Sequence, residues 1–176
     1  MPRNSGAFAT AILAPIVVVA CCVFAIGRGG TSEEPVGTAD PAEVAARLAV
    51  RLDTATAAIG LPLDGSVFYT GRCDAPNFEV APDDRFVLVA RYHYTPEVSA
   101  QNDDVIGLYE HWETLGWGPE LHFVAETGLA DAEAEDAGDA FRAATDWRET
   151  SVAVSSPCYR FAGEPVWGEV TPADVL

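Results

Sequence analysis

The chain has 176 residues and a formal net charge of −17 at pH 7, from ten basic residues, all Arg, against 27 acids. It is long enough for one domain with its own core, and four Trp, five Tyr and eight Phe supply bulk for it. So large an excess of acid repels polyanions and excludes nucleic-acid binding through a basic patch.

The N-terminal run Ala7 to Gly27 carries no charge. As a helix it would measure about 31 Å, close to the hydrocarbon thickness of a bilayer, and a membrane span tolerates its Pro15. Arg3 and the α-amine precede it and Arg28 follows. Three readings fit residues 1–27: an uncleaved signal anchor, a lipoprotein signal in which Val18-Val19-Ala20-Cys21 presents Cys21 for lipidation, or a signal cleaved after Ala25-Ile-Gly27. All three put the following domain outside the cytoplasm, and the anchor and lipoprotein readings hold it at the cell membrane. All 27 acids lie beyond residue 30 and two of the ten Arg precede it, so eight Arg face 27 acids and the exported part carries −19.

Residues 28–40 are rich in Gly, Pro, Ser, Thr and acid and read as a flexible tether. A helix then begins with Asp40 as cap, Pro41 at the first helical position and Glu43 completing a capping pattern. Val44, Leu48, Leu52, Ala55 and Ile59 make one narrow apolar stripe, suited to packing on a sheet, and Gly60 with Pro62 stops the helix. Val67 to Tyr69 suggests a short strand. Arg85 to Tyr94 is the strongest strand, with Phe86, Leu88, Ala90, Tyr92 and Tyr94 facing one way and Val87, Val89, Arg91 and His93 the other.

A second helix spans about Ser99 to Leu115, burying Val98, Val105, Leu108, Trp112 and Leu115, with Gly116 as its stop. Glu120 to Thr127 alternates, with Leu121, Phe123 and Ala125 inward. The acidic stretch Ala130 to Asp139 reads as a solvated loop, with a helix over 131–146 as the rival. Phe141 to Trp147 and Thr150 to Ser156 form a hairpin turned at Arg148-Glu149, with Phe141, Ala143, Thr145, Trp147, Val152 and Val154 inward. The chain from Tyr159 onward reads as irregular. The expected fold class is therefore α+β: an N-terminal membrane helix, then a two-layer domain (41–162) with two helices on one face of a mostly antiparallel four-stranded sheet, and an irregular tail (163–176).

Cys73 and Cys158 are the two cysteines beyond the N-terminal segment. In an oxidising compartment they read as one disulfide, and no C-x-x-C spacing or adjacent His suggests a metal or redox pair. Trp112-Glu-Thr-Leu-Gly-Trp117, the strand after it and Ser155-Ser-Pro-Cys158 together resemble small actinobacterial membrane-anchored proteins and lipoproteins of the cell envelope, of unknown function. The resemblance spans roughly residues 68–160 and departs at the acidic stretch. It implies an envelope location and a disulfide, and no activity.

No catalytic, cofactor or metal motif stands out. His93, His111 and His122 lack metal-ligand spacing, although a strand–helix–strand unit could bring two of them toward Glu110. The acidic run fails as an EF-hand loop because Asp136 stands where Gly is required and Arg142 where a bidentate acid is required. Ser155 and Ser156 have no neighbouring His and no G-x-S-x-G frame. Glu110 and Glu113 are one helical turn apart and read as a solvated face. No cofactor is expected. The expected partners are the membrane, through the N-terminal segment, and a cationic or protein partner in the envelope, with Trp117, Tyr159 and Trp167 as a recognition surface if exposed. The alternative is a cell-envelope hydrolase using acidic side chains.

Overall fold

The computed structural model describes residues 35–59, 65–73, 84–95, 101–146 and 148–173. The expected membrane helix, Cys21, the start of the tether, Val98 and Trp147 lie outside them, and among the described residues no helix is long and apolar enough to cross a membrane. In chain order the elements are β1 (Thr38–Ala39), α1 (Pro41–Thr56), β2 (Val67–Gly71), β3 (Arg85–Tyr94), α2 (Gln101–Thr114), β4 (Glu120–Phe123), β5 (Ala130–Asp136), β6 (Asp139–Thr145), β7 (Thr150–Ser155), β8 (Tyr159–Phe161) and β9 (Gly168–Glu169).

The four-stranded sheet is corrected to a nine-stranded mixed one. Its order is β1-β8-β3-β7-β6-β5-β4, with β2 on the other edge of β3 and β9 beyond β2. The β1–β8 pair is parallel and the remaining pairs are antiparallel. The acidic stretch is β5, neither loop nor helix: Ala130, Ala132 and Ala134 are buried while the acids between them turn outward. Composition hid a strict period of two. The chain after Tyr159 is also paired, through β8 and β9.

Both helices cover one face of this sheet. Asp40 caps α1 by accepting the Ala42 N–H at 2.8 Å, with Pro41 behind it. Val44, Leu48, Leu52 and Ala55 then pack on β3 and β7, while Val105, Leu108 and Trp112 of α2 pack on β5 and β6. Leu115 and Phe123, expected inward, are 38% and 54% exposed, because α2 has ended before Leu115 and β4 is the edge strand.

The end of α2 explains the Trp-x-x-Leu-Gly-Trp pattern. Gly116 takes φ +77°, its N–H donates to Glu113 O at 3.0 Å, and the Trp117 N–H reaches back to Trp112 O at 3.1 Å. This is a Schellman cap, and its two tryptophans make the apolar contact across it, ring centroids 6.3 Å apart.

Strands β7 and β8 run along the same edge of β3, and the register slips by one residue between them: Val89 pairs with Ser155, but Phe86 with Tyr159. Ser156-Pro157-Cys158 holds the extra residue, and the Ser156 hydroxyl accepts the Leu88 N–H at 2.9 Å, which keeps the ladder closed across the bulge. Cys158, at the end of that bulge, forms a disulfide with Cys73 just after β2, with Cα atoms 5.5 Å apart. With Val87 the bridge makes a small cluster on the sheet face away from the helices.

Candidate functional site

That second sheet face carries a depression over β3, β6 and β7. Period two and the cross-strand register dictate its layout. Arg91 and Arg142 both stand opposite Ala153, one strand away on either side. Along β7, Ser151 and Ser155 lie two residues to each side of Ala153, and they pair across to Ala144 and Ala140. The lining thus comes from two arginines, two serines and three alanines, and the surface they expose is mainly apolar.

The two arginines are held differently. Arg142 bonds Asp131 through two nitrogens, one at 3.0 Å, and lies 3.6 Å from Glu133. Burial works against its charge, but the hydrogen bond and charge of Asp131, with Glu133 behind, outweigh it and raise its pKa. Arg91 lies over the Tyr69 ring, 5.9 Å from its centroid. Burial raises the Tyr69 pKa, against the pull of Arg91. Ser155 is 7% exposed.

A second polar cluster lies on the helix side. Asp139 is fully buried, and its Oδ2 meets Arg47 at 2.5 Å and Arg51 at 3.3 Å. Arg51 also reaches Asp136 and sits 5.1 and 5.0 Å from the Trp117 and Phe141 ring centroids. Burial pulls the Arg47 pKa down, but its hydrogen bond and charge contact with Asp139 more than compensate. The cluster ties the β5–β6 turn to α1.

The residues singled out from sequence are dispersed. His93 faces Glu149 at 3.2 Å, His122 faces Glu120 at 3.4 Å, and the His111 ring bonds the Thr54 carbonyl at 2.9 Å. Glu110 is exposed, and Glu113 accepts the Tyr109 hydroxyl. Among the described residues no three His, Cys, Asp or Glu side chains gather as metal ligands would. Trp117 is buried, with its ring stacked on Phe141 at 4.2 Å, and Tyr159 and Trp167 are half-buried against the core, so the aromatic recognition surface does not form. Of the residues weighed for chemistry, Ser155 and Arg142 line the depression. Arg91 was legible as a residue on the second face of β3, but its meeting with Arg142 depends on register.

No protein-family model matches the chain, and no curated protein matches it. Among solved structures, that of the lipoprotein LppA from Mycobacterium tuberculosis is similar at 15% identity and a TM-score of 0.40, over 74% of this chain and 85% of that one.

The surface of the depression is mainly apolar, and among the described residues none of its lining side chains is a carboxylate or an imidazole.

Proposed function

We propose that the chain is an exported, envelope-associated binding module, held at the membrane by its N-terminal segment, with Cys21 available there for an acyl chain. The two sheet faces carry this reading. One is buried under α1 and α2, while the other presents Arg91, Arg142 and Ser155 around small side chains. The Cys73–Cys158 disulfide suits an oxidising compartment outside the cytoplasm. The −19 domain repels polyanions and favours a protein of the envelope that is not strongly acidic.

A photo-crosslinking residue placed in living cells at Ala153, on the helix-free face, tests the reading against one at Val50, which is 60% exposed on α1. One defined partner is expected from the Ala153 position and none from Val50. Equal capture at both positions, or capture from Val50 alone, would overturn the proposal.

A further inference from the structure

We propose that the outer edge of β4 accepts an extended segment of a partner protein as an added strand, and that this segment alternates basic with apolar residues. The sheet edge is a different surface from the depression, and the inference stands without the reading of the helix-free face.

The backbone makes the first argument. Strand β4 ends the strand order on the side opposite β1, and among the described residues it pairs with β5 alone. The Val124 N–H donates to Leu129 O at 2.9 Å, which continues the ladder one pair beyond Phe123 and Ala130. Bonded and non-bonded pairs alternate along an antiparallel ladder. Glu120 and His122 therefore turn their backbone groups toward β5, while Leu121 and Phe123 turn theirs outward. Two residues thus offer N–H and C=O groups at the spacing another strand can pair with.

The side chains say which strand fits. Leu121 and Phe123 stand on the helix side, across from Ala132 and Ala130. Helix α2 packs mainly over β5 and β6, and Phe123 is left 54% exposed. Apolar residues on an added strand would cover it. On the other side Glu120 stands directly opposite Glu133, a like-charge pair of the kind that weakens a sheet. Glu133 in turn stands opposite Arg142 on β6, 3.6 Å away. A basic residue beside Glu120 would complete the row Arg142, Glu133, Glu120 with positive charge at both ends. Because Glu120 is exposed, this contact selects the partner more than it adds affinity. Period two then sets basic and apolar residues in alternation along the segment.

A second copy of this chain matches the edge poorly, since it would bring Glu120 of each near the other within two domains of −19. Six strand spacings separate β4 from β1, about 29 Å across the sheet, so a partner reaches the edge away from where the leading segment enters.

The test uses the full-length chain in uncharged detergent micelles, with amide spectra and amide hydrogen exchange as readouts. The probe is the capped peptide Lys-Val-Lys-Val-Lys-Val, with a Glu-for-Lys version and two versions methylated on the valine or the lysine nitrogens. The basic peptide should bind with a Kd below about 1 mM and slow exchange at Leu121 and Phe123. The acidic version should not. Alternate N–H groups of an added strand face β4, so one methylated version should bind at least about tenfold more weakly than the other. Phe123→Pro removes an outward N–H and no bond to β5, and should weaken binding at least about tenfold. Phe123→Lys keeps the backbone and should weaken it likewise, by loss of apolar cover and by repulsion. Equal binding of the two methylated versions, equal binding of the acidic peptide, or no protection at Leu121 and Phe123 would each overturn the proposal. Protection of those amides that rises with protein concentration alone would make the occupant a second copy and overturn the basic segment.

Discussion

Asp139 is the residue on which the most electrostatics converge. Its carboxylate is completely buried, yet both arginines that meet it keep part of their side chains in solvent, 41% for Arg47 and 23% for Arg51. That geometry lowers the desolvation cost of the pairs while leaving Asp139 dependent on them. Asp139→Asn removes the charge and keeps the shape. It should cost about 2–3 kcal/mol of stability, toward the low end for a broken buried pair because the partners can rehydrate. The urea midpoint measures this. Asp131→Asn is the comparison: its Arg142 partner has Glu133 in reach, so the loss there should stay under about 1 kcal/mol. Near-equal losses would show that burial does not distinguish the two sites.

At the level of elements, β6 and its pairing with β7 were legible as a hairpin, whereas β5 is the part least legible in the sequence. Its strand pattern was present, but its inward residues are alanines, which favour helices and bring little hydrophobic signal. They are small because the bulk comes from the other layer: Trp112 and Trp117 fill the space above, with Phe141 6.1 Å from the Trp112 ring. The turn gave no help either. Asp136 pairs with Asp139, so Ala137 and Gly138 form a two-residue loop, and both have positive φ, at 52° and 85°. Such a turn calls for Asn-Gly or Asp-Gly, and Ala at its first position bears a left-handed penalty. Ala137→Asn should therefore stabilise the domain by about 0.5–1 kcal/mol and Ala137→Val destabilise it, read as opposite shifts in Tm. By contrast, α1 and β3 were legible, because the cap, the apolar stripe and the aromatic alternation are local signals. The depression was legible only in pieces, since Arg91, Arg142 and Ser155 become neighbours through strand register, which no single segment encodes.

For the whole molecule, the decisive constraint is the bridge between Cys73 and Cys158, 85 residues apart in sequence. It joins the end of β2 to the start of β8, across the two sides of β3, and closes most of the domain into one loop. The chain-entropy model gives such a loop about 4.5 kcal/mol, and native bridges in exported domains deliver about 2–5 kcal/mol. Dithiothreitol should lower the denaturation midpoint accordingly, and a Cys73→Ser, Cys158→Ser double variant should start from the lowered midpoint and ignore the reductant. Equal midpoints with and without the bridge would make it dispensable. The short strands β1, β8 and β9 belong to this scale too. Each is held by long-range pairing more than by its own sequence, which is why Tyr159 onward looked irregular.

The way the chain enters the fold carries a mechanical consequence. Val36 donates to the Cys158 carbonyl at 2.9 Å, and β1 then lies parallel to β8, bonded through Gly37, Arg160, Ala39 and Ala162. A pull on the leading segment along β1 loads these bonds together in shear instead of opening them one at a time. Cys158 passes the load through a covalent link to the end of β2, beside the sheet's rim. The middle of β7, with Ala153 between its arginines, lies off that line. Tension on the chain ahead of Val36 would thus be borne by β1, β8 and the disulfide, leaving the surface around Ala153 undistorted.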